Sequence, residues 1–419
     1  MLSSRTLPLF LFTAIILPAC HPKKPATDPL PAQLGKGKDS LSQNAPNEEV
    51  KEPIRLPPER SWASATWSPR PGSPSEPELE ELIKACGAGD VALHIAAQDA
   101  AQMQVTEGEA PTIQEIVFLM RRQGNSYVQP RLWAATLSPQ ALPEAVKSVN
   151  HWSSTGNAKY GYRCGAGLAE NPNGTWSIVV IASEVLADAR PIPLQVESGK
   201  WLDIEIRVNE AVQGANLIVL PPEGAAQQIT TELHDGTAKA RVNFPVEGLY
   251  QLQLMGALEG GPRPVAEAWV VVGPDRPRGP VSEAVPGEEV FSAKMERDTA
   301  LFEMLNSLRR EAGLPTLKRM RKLDIAARQH SAAMARAGRI AHDIGSGTPD
   351  YRVERSGVVA RATGENVAKA DSVLALHRVL YASPSHRENM LLRRWNHVGI
   401  AIIEGEDGKL YATEIFVDD

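Results

Sequence analysis

In this chain of 419 residues, His342, Glu365 and His386 are the side chains whose types and settings best suit chemistry. His342 lies in Arg339-Ile340-Ala341-His342-Asp343, just beyond Gly338, which reads as the end of a helix. Glu365 follows Gly364 in Thr363-Gly364-Glu365-Asn366-Val367-Ala368, where the glycine reads as a turn that brings the acid out. His386 belongs to Ser383-Pro384-Ser385-His386-Arg387-Glu388-Asn389-Met390-Leu391. That stretch starts a helix: Ser383 suits the N-cap, Pro384 suits the first helical position, and Ser385 with Glu388 offers an alternative capping box. In either register His386 sits in the first turn, where the helix dipole lowers its basicity and favours the neutral ring.

Two imidazoles and a carboxylate from three segments form a mixed nitrogen and oxygen set. If they converge, they can hold a divalent cation, Zn²⁺ above all, with water completing the coordination. The competing arrangement keeps them together without metal, hydrogen-bonded to one another and to loop amides. Glu365 is the credible general base should the site hydrolyse anything. Nucleophilic catalysis fits poorly, because no Gly-x-Ser-x-Gly elbow occurs and capping accounts for Ser383 and Ser385. Asn366 reads as a residue that fixes backbone through its amide. Arg387 and Asn389 read as braces and His330 as a packing residue, while His377 and His397 have no evident partner.

The elements that must position these groups are legible from periodicity. Leu301, Met304, Leu305 and Leu308 mark one face of a helix, which Gly313 and Pro315 stop. Leu323, Ala327, His330 and Met334 mark a second helix, and Val373 to Tyr381 a third, capped by Asp371 or Ser372. Val398–Ile403 and Leu410–Val417 read as strands joined by a turn at Glu404 to Gly408.

Several of these pieces, in order, resemble the CAP superfamily of cysteine-rich secretory, antigen 5 and pathogenesis-related proteins, in its bacterial, SCP-like extracellular branch. The matching pieces are Leu305-Asn306-Ser307-Leu308-Arg309, His330-Ser331-Ala332-Ala333-Met334-Ala335, His342, Gly364-Glu365-Asn366, the Ser383–Leu391 stretch, Val398-Gly399-Ile400-Ala401 and Tyr411-Ala412-Thr413-Glu414-Ile415-Phe416. The resemblance covers residues 295–419 and implies an α-β-α sandwich with a central cleft of two His and two Glu. His342, Glu365 and His386 match three of those positions. Ser383 stands where the fourth, an acid, is expected, and Leu380 where the family has Trp. Asn366 joins the cleft by the same resemblance. The implied role is binding of a lipid, an envelope component or a protein. A metal-assisted hydrolase of peptide or envelope substrates and a structural surface protein are the alternatives.

The rest of the chain reads as further domains. A net charge of −6 argues against nucleic-acid binding. Met1 to Cys20 has a basic start at Arg5, an apolar run from Leu7 to Leu17, and Leu17-Pro18-Ala19-Cys20 at its end. This describes a signal peptide over 1–19 and resembles a lipobox, whose Cys20 would anchor the protein to a lipid bilayer; His21 after it hints at an outer membrane. Residues 20–75, rich in Pro, Lys, Ser and Glu, read as a disordered tether. Residues 76–187 read as an α+β domain with helices at Pro77–Cys86, Val91–Gln104 and Ile113–Arg122 and a hairpin about Asn173-Gly174. Of three cysteines, Cys86 and Cys164 remain for one disulfide. This domain reads as a degenerate copy of the last one: Leu93-His94-Ile95-Ala96-Ala97 parallels Leu323-Asp324-Ile325-Ala326-Ala327, and Gly165 precedes Gly174 as Gly399 precedes Gly408. Residues 188–274 alternate with period two in six or seven strands, including Ile229 to Leu233, and read as an immunoglobulin-like β-sandwich. Residues 275–294 read as a Pro- and Glu-rich linker.

If Cys20 carries the anchor, mass spectrometry of the mature protein should find a lipid-modified N-terminal Cys20. An unmodified N-terminus at any other residue would defeat that expectation. Cys20→Ala should leave the protein unanchored or unprocessed.

Overall fold

The computed structural model describes residues 76–419 apart from 157, 191, 259–260, 275–276 and 278–283. Cys20, the signal peptide and the tether lie outside the described residues. No helix among the described residues is long and apolar enough to cross a membrane.

The first unit runs α1 (Pro77–Cys86), β1 (Ala88–Gly89), α2 (Val91–Glu107), α3 (Ile113–Arg122), β2 (Arg131–Leu137), α4 (Leu142–Thr155), β3 (Tyr162–Glu170) and β4 (Trp176–Glu184). Helix α2 begins where the Asp90 carboxylate accepts the Ala92 and Leu93 amides, and ends at Gly108 in the left-handed region. Helix α3 carries a full capping box from Thr112 and Glu115. Strand β2 and helix α4 are additions to the sequence reading. Pro143 at the start of α4 is tolerated in a first turn, and Ala145, Val149 and Ser153 then recur every four residues on its buried face. The sheet order is β1-β3-β4-β2, and a Cys86–Cys164 disulfide ties α1 to β3, as expected.

Next comes a pair of sheets built from β5 (Ala187–Ala189), β6 (Gln195–Val196), β7 (Lys200–Val208), β8 (Gly214–Leu220), β9 (Gln227–Ile229), β10 (Glu232–His234), β11 (Thr237–Phe244), β12 (Gly248–Leu258) and β13 (Gly261–Val272). Their orders are β10-β11-β7-β5 and β6-β13-β12-β8-β9. The single strand expected over Ile229 to Leu233 is broken in two. The Thr231 hydroxyl donates to Ile229 O and accepts the Leu217 amide, and the chain passes there from one sheet to the other. Ile204, Ile206 and Phe244 of one sheet and Leu252, Leu254 and Val270 of the other lie in one apolar core. That core continues without a break into Leu93, Ile116 and Leu119 of the first unit, and the Phe118 and Trp269 rings lie 6.0 Å apart across the join.

The C-terminal unit comprises α5 (Arg297–Glu311), β14 (Lys318–Arg319), α6 (Arg321–Ala337), α7 (Pro349–Arg355), β15 (Ala362–Ala370), α8 (Val373–Ala382), α9 (Pro384–Leu391), β16 (His397–Glu404) and β17 (Leu410–Asp418). Its sheet order is β14-β16-β17-β15. Alternation along the strands separates two cores. Val398, Ile400, Ile402 and Phe416 pack with α5, α8 and α9, whereas Ala401, Ile415 and Val417 pack with α6 and α7. These are the helix-sheet-helix layers expected of this region. Ser372, rather than Asp371, caps α8 by accepting the Ala375 amide.

The first and last sheets have the same plan: a short parallel edge strand, a hairpin and an antiparallel outer strand. In both, a glycine lets a strand press against a helix backbone. A Cβ on Gly165 would stand 2.1 Å from Leu93 C, and one on Gly399 would stand 2.2 Å from Leu323 C. Beside each glycine the helix then bonds the strand. His94 Nδ1–H donates to Ala166 O at 2.6 Å, and the Asp324 carboxylate accepts the Ile400 amide at 2.9 Å.

The described residues at 284–294, expected to be linker, are strapped to the C-terminal unit instead. Arg378 donates twice to Glu288 at 2.7 Å, Ser307 donates to Glu289, and His377 Nε2–H donates to Pro286 O at 2.9 Å. His377 therefore has a partner that the sequence did not suggest.

Replacing both Cys86 and Cys164 with Ala is expected to cost about 2–4 kcal/mol, mainly by freeing the unfolded chain. Denaturant unfolding of the full chain would measure it. Because the first unit and the sheet pair share a core, they should unfold in one shifted transition while that of the C-terminal unit stays in place.

Candidate functional site

Glu365 lies within β15, paired opposite Ile415, and not in a turn. Gly364 is needed there for space: a Cβ would stand 2.8 Å from Trp395 Cζ2 and 3.1 Å from Asn389 Oδ1. Strand β15 is the sheet edge, and successive residues on it face opposite layers. Glu365 therefore turns towards α6 and α7, and Asn366 towards α9.

On the first side the Glu365 carboxylate is fully buried and accepts from two directions. His342 Nδ1–H donates to Oε1 at 2.9 Å, and the Arg352 guanidinium pairs with Oε2. Arg352 also donates to His342 O and Gly347 O, so one guanidinium holds both the acid and the loop that presents His342. His330, on α6, stands 3.9 Å from Glu365 Oε1, but its Nε2–H donates to Ala341 O at 2.9 Å and its Nδ1 meets Ser346 Oγ at 3.0 Å. Burial by itself would raise the Glu365 carboxyl, but the Arg352 charge, with help from His342 and His330, outweighs it and holds the group below its ordinary range. His342 keeps a third of its side chain in solvent, 32 %, with Nε2 directed away from the carboxylate bond.

On the other side Asn366 is fully buried and committed. Its Nδ2 donates to His386 O at 3.2 Å and to Glu414 Oε2 at 3.0 Å, and its Oδ1 accepts from Asn389 Nδ2 at 3.0 Å. It is a brace rather than a ligand contact. Arg387 braces likewise, donating to Tyr381 O with its guanidinium 3.5 Å from the Tyr381 ring centre. The His386 ring has no hydrogen-bond partner among the described residues, and its buried Nδ1 is unpaired. Burial first, and the nearby His342 second, push His386 down to about 4, so it is neutral at pH 7. The neutral ring was expected from the helix dipole; desolvation is the cause. Glu414, which the sequence reading did not single out, is fully buried, and burial pushes it up to about 7 against the bond from Asn366.

Ser383 is the N-cap of α9 and Pro384 its first residue, as expected, but the expected side-chain capping is corrected. No side chain of Ser383 or Ser385 caps it, and Glu388 accepts from Gln228 instead of reaching back.

His342, Glu365 and His386 thus lie about one edge strand, but they do not form the metal set considered above. Among the described residues no three His, Cys, Asp or Glu side chains are placed to hold one ion. Both Glu365 oxygens are engaged, one of them by a guanidinium, and a cation would have to displace Arg352. Arg352 is the residue that sequence reasoning missed. Its signal lay in Thr348-Pro349, an N-cap and first-turn pair that opens α7, with Thr348 accepting the Tyr351 amide.

Glu365→Gln should therefore cost roughly 3–5 kcal/mol at neutral pH, the usual loss when a buried ion pair is broken from one side. Thermal melting with and without Zn²⁺ would check it, and the loss should be the same in both. Glu414 predicts the opposite direction. Its folded pKa of about 7 lies above the ordinary 4.5, so the folded state holds the proton more tightly and loses stability as pH rises through that window. Glu414→Gln should remove a cost of about 3 kcal/mol at pH 8 and almost none at pH 4. His386, with its folded value depressed, contributes the contrary slope, gaining stability as pH rises from about 4 to 6.5. Denaturation curves of Glu414→Gln across pH should expose that rise.

Residues 302–417 match the family model of the cysteine-rich secretory protein family, CAP. No curated protein matches the chain. Among solved structures it is similar to an outer surface protein of Borrelia burgdorferi, at 20 % identity over 30 % of this chain and 96 % of that one, with a TM-score of 0.29. It is similar to an extracellular SCP-domain protein of Bacillus anthracis at 14 % identity, over 63 % and 87 % of the two chains, with a TM-score of 0.28. A cysteine-rich secretory protein of Staphylococcus aureus gives 12 % identity, 57 % and 81 % coverage and a TM-score of 0.26. From its helix-sheet-helix layers, its ordered motifs and the family match, the C-terminal unit of this protein is a CAP domain of the cysteine-rich secretory protein family.

Proposed function

We propose that this is an exported protein, lipid-anchored through Cys20 in the cell envelope, whose CAP domain binds an envelope component at the edge of β15. The observation that carries this reading is the engagement of both Glu365 oxygens by His342 and Arg352. A carboxylate so engaged is neither an available base nor a metal ligand; it orients His342. What remains for a partner is His342, a third of whose side chain is in solvent, and the neutral ring of His386, whose Nδ1 is unpaired. Such a pair suits a neutral ligand rich in hydroxyl or amide groups, with His342 Nε2 accepting and the His386 ring donating or accepting according to its tautomer. A third reading, a structural surface protein with no small ligand, leaves the unpaired His386 nitrogen without a purpose.

Hydrolysis has one observation in its favour. His342 gives its Nδ1–H to a buried carboxylate, which leaves Nε2 as a base in the manner of an oriented histidine. Among the described residues, however, no hydroxyl or thiol is hydrogen-bonded to His342. The first unit, with the same sheet plan, has the apolar Leu132 and Trp133 on its outer strand where β15 carries Glu365 and Asn366. We read it as a CAP-like copy without a cleft, and the sheet pair as an immunoglobulin-like module.

The test is a titration of the full soluble chain with soluble peptidoglycan fragments and, separately, with anionic phospholipid vesicles, followed through the histidine ring signals by NMR. Shifts of His342 and His386 with one of these probes are expected, abolished in His342→Ala/His386→Ala. Rings that respond to neither, or fragments that are cleaved, would overturn the binding reading.

A further inference from the structure

Helix α9, which carries His386, is short and has no cap of its own. Its N-terminal amides need an acceptor, and one comes from outside the CAP domain. The Ser385 amide donates to Gln253 Oε1 at 3.2 Å, and Gln253 belongs to β12 of the sheet pair. Gln253 is 1 % exposed, so its amide must find partners inside the protein. Its Nε2 donates to Glu267 Oε1 at 2.6 Å on the neighbouring β13. Glu267 in turn takes Arg121 of α3 on its other oxygen at 2.7 Å. A second glutamine, Gln228 of β9, donates to Glu388 one turn further along α9 at 2.6 Å.

The order of donors in this chain is forced. A carboxylate only accepts, so Glu267 obliges Gln253 to present its NH₂ group to it. The carbonyl oxygen is then left facing α9, where only an acceptor is useful. Arg121 holds Glu267 in place through a charge-assisted hydrogen bond to its other oxygen. Turned the other way, the amide would set its NH₂ group against the α9 N–H groups and its oxygen against a carboxylate.

We propose that Gln253 is a positioning residue for His386: through an amide oriented by Glu267 and Arg121, the sheet pair caps α9 and so sets the orientation of the His386 ring. The sheet pair is on this account a working part of the site and not a spacer. The inference rests on the binding reading only for the purpose of His386, and its test uses no ligand, so either can fail while the other stands.

The experiment compares full-length wild type with Gln253→Ala, Glu267→Gln and the exchange variant Gln253→Glu/Glu267→Gln. Amide exchange at Ser385 and the His386 ring signals at pH 7 are the readouts. Gln253→Ala should speed exchange at Ser385 at least tenfold and shift the His386 ring, while His397, on β16, is unmoved. Glu267→Gln should act in the same direction, because its amide no longer dictates how Gln253 faces. The exchange variant restores an acceptor to α9 and a donor behind it, and should recover both signals. A merely structural contact would lower the melting temperature in every variant and leave the His386 ring alone. Unchanged Ser385 exchange and ring signal in a folded Gln253→Ala would overturn the proposal. If that variant does not fold, wild-type signals in Glu267→Gln would overturn it, as would an exchange variant no better protected than Glu267→Gln.

Discussion

The CAP domain depends on the opposed directions of two neighbouring side chains, Glu365 and Asn366. Because they are consecutive on an edge strand, one must face each layer of the sandwich. Glu365 gathers Arg352, His342 and, more loosely, His330 from the α6 and α7 side. Asn366 gathers the His386 carbonyl, Asn389 and Glu414 from the α9 side. His342 and His386 are thereby referred to a single point of the backbone, although they come from opposite layers. An unpaired buried charge or amide at either position would be costly, which is why both are so fully engaged.

Much of this was legible in the residues. Helical periodicity marked α5, α6 and α8, because each is half-buried and the pattern records which half, and near-continuous apolar runs marked β16 and β17, because helices cover both faces of their sheet. Glu365, His342 and His386 were visible as polar residues among turn and cap signals. Their chemistry was not, since it turns on Arg352, a residue on a short helix with too little periodicity to stand out. A local rule read Gly364 as a turn, where a tertiary demand was decisive: the Trp395 ring needs the room of a missing side chain. The capping of α9 misled for a similar reason. Ser383, Ser385 and Glu388 are good local caps, but sequence proximity says nothing of a glutamine from another sheet that takes over the task.

The first unit gives the complementary lesson. Its strand plan and its glycine contacts with α2 repeat those of the CAP domain, yet at the strand positions of Glu365 and Asn366 it carries Leu132 and Trp133. The framework needs only apolar faces and close backbone approaches at glycine, and it requires none of the polar residues. A buried carboxylate, by contrast, has to keep its guanidinium or be lost together with it.

The unbroken core between the first unit and the sheet pair bears on how such a protein can be altered in evolution. A module joined by a linker can be exchanged or duplicated by recombination at its ends. Here Phe118 and Trp269 lie in contact across the join, and the carboxylate of Glu267 spans from Arg121 to Gln253. Residues 76–274 share one core, so a cut within them would expose apolar surface on both sides. The CAP domain has cores of its own, so its exchange would leave the core of residues 76–274 intact. A replacement would have to keep acceptable partners for two glutamines.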